Sequence, residues 1–226
     1  MGLLVAIEGI DGSGKGTQAA RLHQTLSAAG WKSALMGFPR YRETFFGNRI
    51  GDFLNGRFGQ LDDVDPFLAA TLYAGDRFES RDLLCSTIAA NDVVVLDRYV
   101  PSNIAHQAGK RQNADRLRLR NWIEHLEFEV YRLPRPDLVI LFDLPAESAA
   151  RLIAMKKARD YTPLAADLQE ADRSYQERVR EAYLELAADT GWHTVPVVDR
   201  ALSLRPLEEV AADVARIVQT ELRKNS

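Results

Sequence analysis

Residues Gly9 to Thr17 read GIDGSGKGT and follow the apolar run LLVAIE. Gly9, Gly12, Gly14 and Gly16 leave the backbone free to turn its N–H groups inward around phosphate oxygens, and a helix starting here would aim its positive end at them. Lys15 would reach the outer phosphates of a nucleotide. The usual form of such a loop has Ser or Thr directly after the lysine, to help hold magnesium. Here that position is Gly16, and the nearest hydroxyls belong to Ser13 and Thr17. Magnesium keeps several of its waters and needs few protein ligands, so Thr17 with the carboxylates of Asp11 or Asp97 would serve. The competing reading is a tight Gly-rich turn in a different α/β fold.

Three further stretches carry charge at the ends of strand-like runs. VVVLDRYVPSN places Asp97 and Arg98 side by side, and FPRYRE places Phe38 and Arg40 after a second run. ATLYAGDRFESR sets Tyr73 and Arg77 four residues apart on one helical face. Taken singly, these are an Asp–Arg pair fixing a loop, a strand-end arginine, a core tyrosine and a surface arginine. Taken together, Arg40, Arg77 and Arg98 suit convergence on a doubly charged phosphate, which matches the planar fork of arginine. No nucleophile–histidine pair accompanies them; His23, His106, His125 and His193 read as non-catalytic. A phosphate acceptor explains this, because its second pKa is about 6 and at neutral pH it needs no general base.

Five short runs would position these groups: residues 3–8, 32–38, 92–97, 137–144 and 193–199. Three are continuous in Val, Ile and Leu, as expected for a parallel sheet covered on both faces. Helical faces lie between them, with Ala19, Leu22, Leu26 and Ala29 on one and Leu119, Trp122, Ile123, Leu126 and Val130 on another. A basic-ended amphipathic helix closes the chain. The expectation is a doubly wound α/β fold in a single domain spanning 1–226. Residues 155–178 are highly charged and strand-free, either a cover over the site or a solvated connection.

The chain has 226 residues, 46% of them hydrophobic, enough for one large core. A net charge of −3 and a pI near 5.9 give no electrostatic case for nucleic acid as partner. The single cysteine, Cys85, excludes an intramolecular disulfide and reads as a buried helical thiol. There is no apolar stretch of the ~20 residues that span a bilayer and no leader-like start, so the expectation is a cytoplasmic protein without membrane contact.

In IEGIDGSGKGTQ, FPRY, ATLYAGDR, DRYVPSNIAHQAGK and PDLVILFDLPAE, in that order and spacing, the chain resembles the thymidylate kinases nearly end to end. The resemblance implies a P-loop nucleoside monophosphate kinase fold: a five-stranded parallel sheet flanked by helices, with a helical lid at about 155–178. It implies transfer of the γ-phosphate of ATP to dTMP with Mg2+, and a homodimer. By resemblance, Lys15 and the loop Gly9–Thr17 hold the ATP phosphates, and Asp11 touches acceptor and metal. Phe38 and Tyr73 pack against thymine, Arg77 and Asn103 meet the base, and Arg40 and Arg98 grip the monophosphate. Asp97 serves metal and loop geometry, Gln107 lies near the base, and Glu170 matches the lid glutamate. His106 stands where the family more often has Tyr, beside the sugar. The loop carries Gly12 and Ser13 rather than a cation, so the transition-state charge should come from the lid, with Arg159 its expected carrier among Lys156, Lys157 and Arg173. The readings left in competition are a kinase for another monophosphate (dUMP or a purine nucleotide) and a catalytically silent nucleotide-binding regulator.

Overall fold

A computed structural model describes residues 2–154 and 168–224. Lys156, Lys157 and Arg159 lie outside the described residues, as does the first part of the expected lid.

The strands β1 (Leu3–Glu8), β2 (Ser33–Gly37), β3 (Val93–Asp97), β4 (Leu138–Asp143) and β5 (Trp192–Pro196) form one parallel sheet in the order β2-β3-β1-β4-β5. Helices alternate with them: α1 (Lys15–Ala28), α2 (Phe45–Leu54), α3 (Pro66–Glu79), α4 (Arg81–Ala90), α5 (Val100–Ala108) and α6 (Asn113–Glu124). A π-helical turn, His125–Val130, extends α6, and α7 (Ala146–Ala154), α8 (Leu168–Ala171), α9 (Arg173–Leu186) and α10 (Leu207–Lys224) follow. β1 is buried at every residue because it lies between β3 and β4. The edge strands β2 and β5 are only partly covered, so their sequences alternate less cleanly.

The period-two alternation of the strands divides the core into two layers. Leu3, Val5 and Ile7 pack with Ala19, Leu22 and Leu26 of α1 and Val210, Val214 and Val218 of α10. Leu4 and Ala6 face the other way, toward Leu84, Ile104, Ile123 and Val179 of α4, α5, α6 and α9. Burying each large aliphatic side chain contributes about 1.5–3 kcal/mol. The carboxyl ends of β1 and β3 therefore open on one edge of the sheet, where parallel α/β sheets bind ligands.

Three expectations need correction. Cys85 is exposed, because α4 turns Leu84 and Ile88 to the sheet instead. Ala29 falls just past the end of α1 and is exposed. Beyond Ile123 the π-helical turn buries Glu127, while Val130 is left 56% exposed. The later part of the charged segment is packed rather than solvated: Gln169, Glu170, Tyr175 and Gln176 are buried.

Candidate active site

The loop from Gly9 to Gly14 leaves β1 and enters α1 through Gly14, whose φ of 86° belongs to the left-handed region that favours glycine. Among the described residues no side chain caps the start of α1, which leaves its leading N–H groups to an anion. Gly12, at φ 84°, is pressed against α7: a Cβ there would stand 2.7 Å from the Ala149 carbonyl oxygen. The Lys15 ammonium donates to the Ile10 carbonyl at 2.7 Å, folded back over the loop. Ser13 Oγ is buried without a hydrogen-bond partner among the described residues.

Gly16 has a specific neighbour. A Cβ built on it would lie 2.8 Å from Oδ2 of Asp97, at the end of β3. The strand carboxylate thus occupies the space that a Ser or Thr side chain would need. The Asp97 carboxylate has no hydrogen-bond or salt-bridge partner among the described residues and acts on Arg98 only through space.

Arg98, at φ 68°, turns its guanidinium back over the loop. Nη2 meets Asp11 Oδ1 at 2.5 Å, and Nη1 donates to the Gly9 carbonyl at 3.3 Å and to Ser102 Oγ at 3.1 Å. Burial opposes the charge on Asp11, but Arg98 first and Lys15 next outweigh it and hold the carboxyl far below its ordinary range. Gln176 of α9 clamps the same residue twice, accepting from the Asp11 N–H at 3.2 Å and donating to Oδ2 at 3.1 Å. Glu8 lies beneath: its carboxylate accepts from the Tyr99 N–H at 2.8 Å, from Ser102 Oγ at 2.5 Å and from the Tyr183 hydroxyl at 2.9 Å. Burial raises the Glu8 carboxyl above its usual value despite these bonds.

His106 is buried, and burial first, then Arg98, push its pKa down to about 3. Nε2 of the neutral ring accepts from Arg98 Nη1 at 3.3 Å, and Nδ1–H donates to the Tyr175 hydroxyl at 3.1 Å. That hydroxyl in turn donates to the His106 carbonyl at 2.9 Å.

Arg40 is set by α3. Asp76 accepts from the Arg40 N–H at 3.0 Å and from Thr44 Oγ1 at 2.5 Å, and Arg40 Nη1 donates to Ser80 Oγ at 3.2 Å. Its other terminal nitrogen pairs with Glu43.

These residues line two joined cavities. The larger, about 660 Å³, is lined by the loop from Asp11 to Thr17 together with Arg40, Asp97, Arg98 and Glu170. The smaller shares Asp11, Phe38 and Arg98 with it, and adds Tyr73, Arg77, Asn103, His106 and Gln107. In the smaller cavity Asn103 Oδ1 and both amide atoms of Gln107 are buried without partners among the described residues. The Arg77 guanidinium is bound to Glu127, at 2.5 Å through Nε and 2.6 Å through Nη2. Arg40 and Arg98 therefore share one cavity, while Arg77 stands in the next. Arg173 is exposed and pairs with Glu147 at 3.4 Å. Glu8, Asp76, Glu127 and Gln176 are absent from the sequence reading. The one signal for them was that each is a polar residue inside an otherwise apolar strand or helix face.

A phosphate loop at the head of the central strand, faced by two arginines and a strand-end carboxylate and opening on a small cavity with unfilled amide bonds, defines a P-loop kinase of the nucleoside monophosphate class. The family model for thymidylate kinase matches residues 7–205. A thymidylate kinase of Mycobacterium tuberculosis is 35% identical over 84% of this chain and 87% of its own. One of Leifsonia xyli subsp. xyli is 35% identical over 94% and 92% respectively. A solved structure of thymidylate kinase from Candida albicans superposes with a TM-score of 0.73 at 25% identity, covering 97% of this chain and 92% of that one. The chain belongs to the thymidylate kinase family.

Proposed function

We propose that the two cavities are the substrate sites of an enzyme that transfers the γ-phosphate of ATP to dTMP, giving dTDP and ADP. The observation that carries this reading is the junction itself. Asp11, Phe38 and Arg98 belong to both cavities, so a nucleotide with its base among Tyr73, Arg77, Asn103 and Gln107 would present its phosphate to Arg98 and Arg40, opposite Lys15. The unpartnered Asn103 and Gln107 atoms would gain bonds from the base, and burying them unmatched is costly otherwise. The loop N–H groups, Ser13 and the open start of α1 would hold the ATP phosphates.

Among the described residues no cluster of three or more His, Cys, Asp or Glu could hold a metal ion. Magnesium fits this, since it binds through one or two carboxylates with waters and phosphates. Asp97, whose carboxylate is unbonded among the described residues, and Thr17 would hold it, with Asp11 on the same wall. When bound it neutralises charge on the phosphates. The residues themselves act by position and charge: Arg98 and Arg40 fix the acceptor dianion, Lys15 faces the transferred group, and Glu170 lines the entry. Arg159 would supply the lid cation.

The enzyme would work in the cytoplasm; no described helix is long and apolar enough to cross a membrane. Exposed Leu68, Phe78 and Leu83 on α3 and α4 support a homodimer, which sedimentation of the purified chain would test.

A coupled assay of ADP release with dTMP, dUMP, a purine monophosphate and the ribose form of TMP decides the function. Release dependent on dTMP is expected. Equal rates with a purine monophosphate would reassign the substrate, and no release with any acceptor would leave a silent nucleotide binder. The ribose form tests whether the His106–Tyr175 pair excludes a 2′-hydroxyl.

A further inference from the structure

The π-helical turn after α6 buries a carboxylate that the transfer reaction does not use. Glu127 is fully buried 24 residues from Asn103 and 50 from Arg77, and it bonds both. Widened helical turns of this kind are uncommon and recur at functional sites.

Asn103 has one carbonyl and two N–H bonds to place. Its Nδ2 lies 2.8 Å from Glu127 Oε1 and 3.1 Å from the Ala70 carbonyl, and both neighbours can only accept. Rotating the amide by half a turn would press its oxygen against a carboxylate and a carbonyl. The amide is therefore locked, with both N–H groups spent inside the protein and Oδ1 left buried and unbonded at the smaller cavity. Arg77 is locked by the same carboxylate, leaving its Nη1 without a partner among the described residues. Side by side, Asn103 and Arg77 offer one acceptor and one cationic donor.

We propose that Glu127 is a positioning residue for base selection, fixing Asn103 and Arg77 so that the cavity accepts the imide edge of a pyrimidine and rejects the amidine edge. This rests on the dTMP reading above. Thymine carries N3–H beside the C4 carbonyl and complements the pair. Cytosine carries a bare N3 beside an amino group and sets acceptor against acceptor and donor against cation. A site built to hydrogen-bond one pattern discriminates strongly against the other, because its buried groups are left unmatched. Uracil shares the thymine edge, so Glu127 separates dTMP from dCMP and not from dUMP.

The test measures kcat/KM for dTMP and dCMP in the wild type, Glu127→Gln and Glu127→Asp, with KM for ATP and a melting curve for each. Glu127→Gln is expected to lower the dTMP-to-dCMP ratio about tenfold or more with KM for ATP unchanged, and Glu127→Asp to retain part of the preference. Equal losses with both nucleotides would show a structural role only and overturn the proposal while leaving the kinase reading intact. A wild type that releases no ADP with dTMP would sink the kinase reading itself. A measurement without variants stands beside these: in the 15N-labelled, ligand-free enzyme, the Asn103 side-chain N–H groups should be protected from solvent exchange. Rapid exchange there would overturn the locked amide directly.

Discussion

Arg98 and Asp11, 87 residues apart in sequence, meet at 2.5 Å across the mouth of the phosphate loop. The pair is mostly buried, with side chains 16% and 18% exposed. Arg98→Ala should lower turnover about a hundredfold or more, since it removes a preorganised cation from the acceptor. It should also destabilise the fold by up to about 3 kcal/mol, because Asp11 loses the partner that offsets its burial. Adding Asp11→Asn to that variant should restore much of the stability and none of the turnover. Recovery of both would mean that Arg98 only neutralises Asp11.

Gly16 and Asp97 make a second test. Gly16→Ser would place a Cβ 2.8 Å from where Asp97 Oδ2 now stands, forcing the carboxylate aside. Turnover should fall about tenfold or more, as misplacing a site group by about 1 Å can cost still more. The Mg2+ concentration for half-maximal rate should rise with it. An unchanged magnesium dependence would remove Asp97 from the metal site.

Acidification should act through His106. Its ring is held neutral, with a pKa near 3, whereas the unfolded chain takes up that proton near 6.5. The unfolded state thus binds more protons below pH 6.5, and stability falls as pH drops through the window between the two values. The slope is about 1.4 kcal/mol per pH unit. Denaturant melts between pH 6.5 and 4.5 should show this loss in the wild type and not in His106→Gln. The comparison cancels Glu8, whose raised carboxyl runs in the opposite sense. Parallel curves would mean that the imidazole is charged in the folded protein.

Arg159→Ala should lower turnover about tenfold or more with little change in dTMP affinity. Arg173→Ala should do neither, because that side chain is exposed and tied to Glu147. The reverse pattern would move the transition-state cation to residue 173.

The sheet was legible because its strands are continuous apolar runs, and the phosphate loop because glycine spacing and Lys15 carry a local signature. The two-cavity site was legible only in its cavity-lining residues. Its supports were not: Gln176 reaches Asp11 from 165 residues away, and Asp76 reaches the backbone of Arg40 from 36. No local pattern marks such a contact. Glu127 was hidden for a different reason, because a 3.6-residue period cannot foresee a π-helical turn. The space beside Gly16 shows the same limit, since the missing hydroxyl reads as a loss until the neighbouring strand is seen to fill it.

The first strand of this sequence is the one that sits in the middle of the sheet. β1 pairs with β3 and β4, whose residues follow it by some 90 and 135 positions. The turn after β1 therefore has one flanking strand only once Val93–Asp97 has been added, and the second only with Leu138–Asp143. The clamp on Asp11, Gln176, follows it by 165 residues. A fragment that stops before these residues lacks the groups that shape the turn, and should bind ATP more weakly than the 226-residue chain.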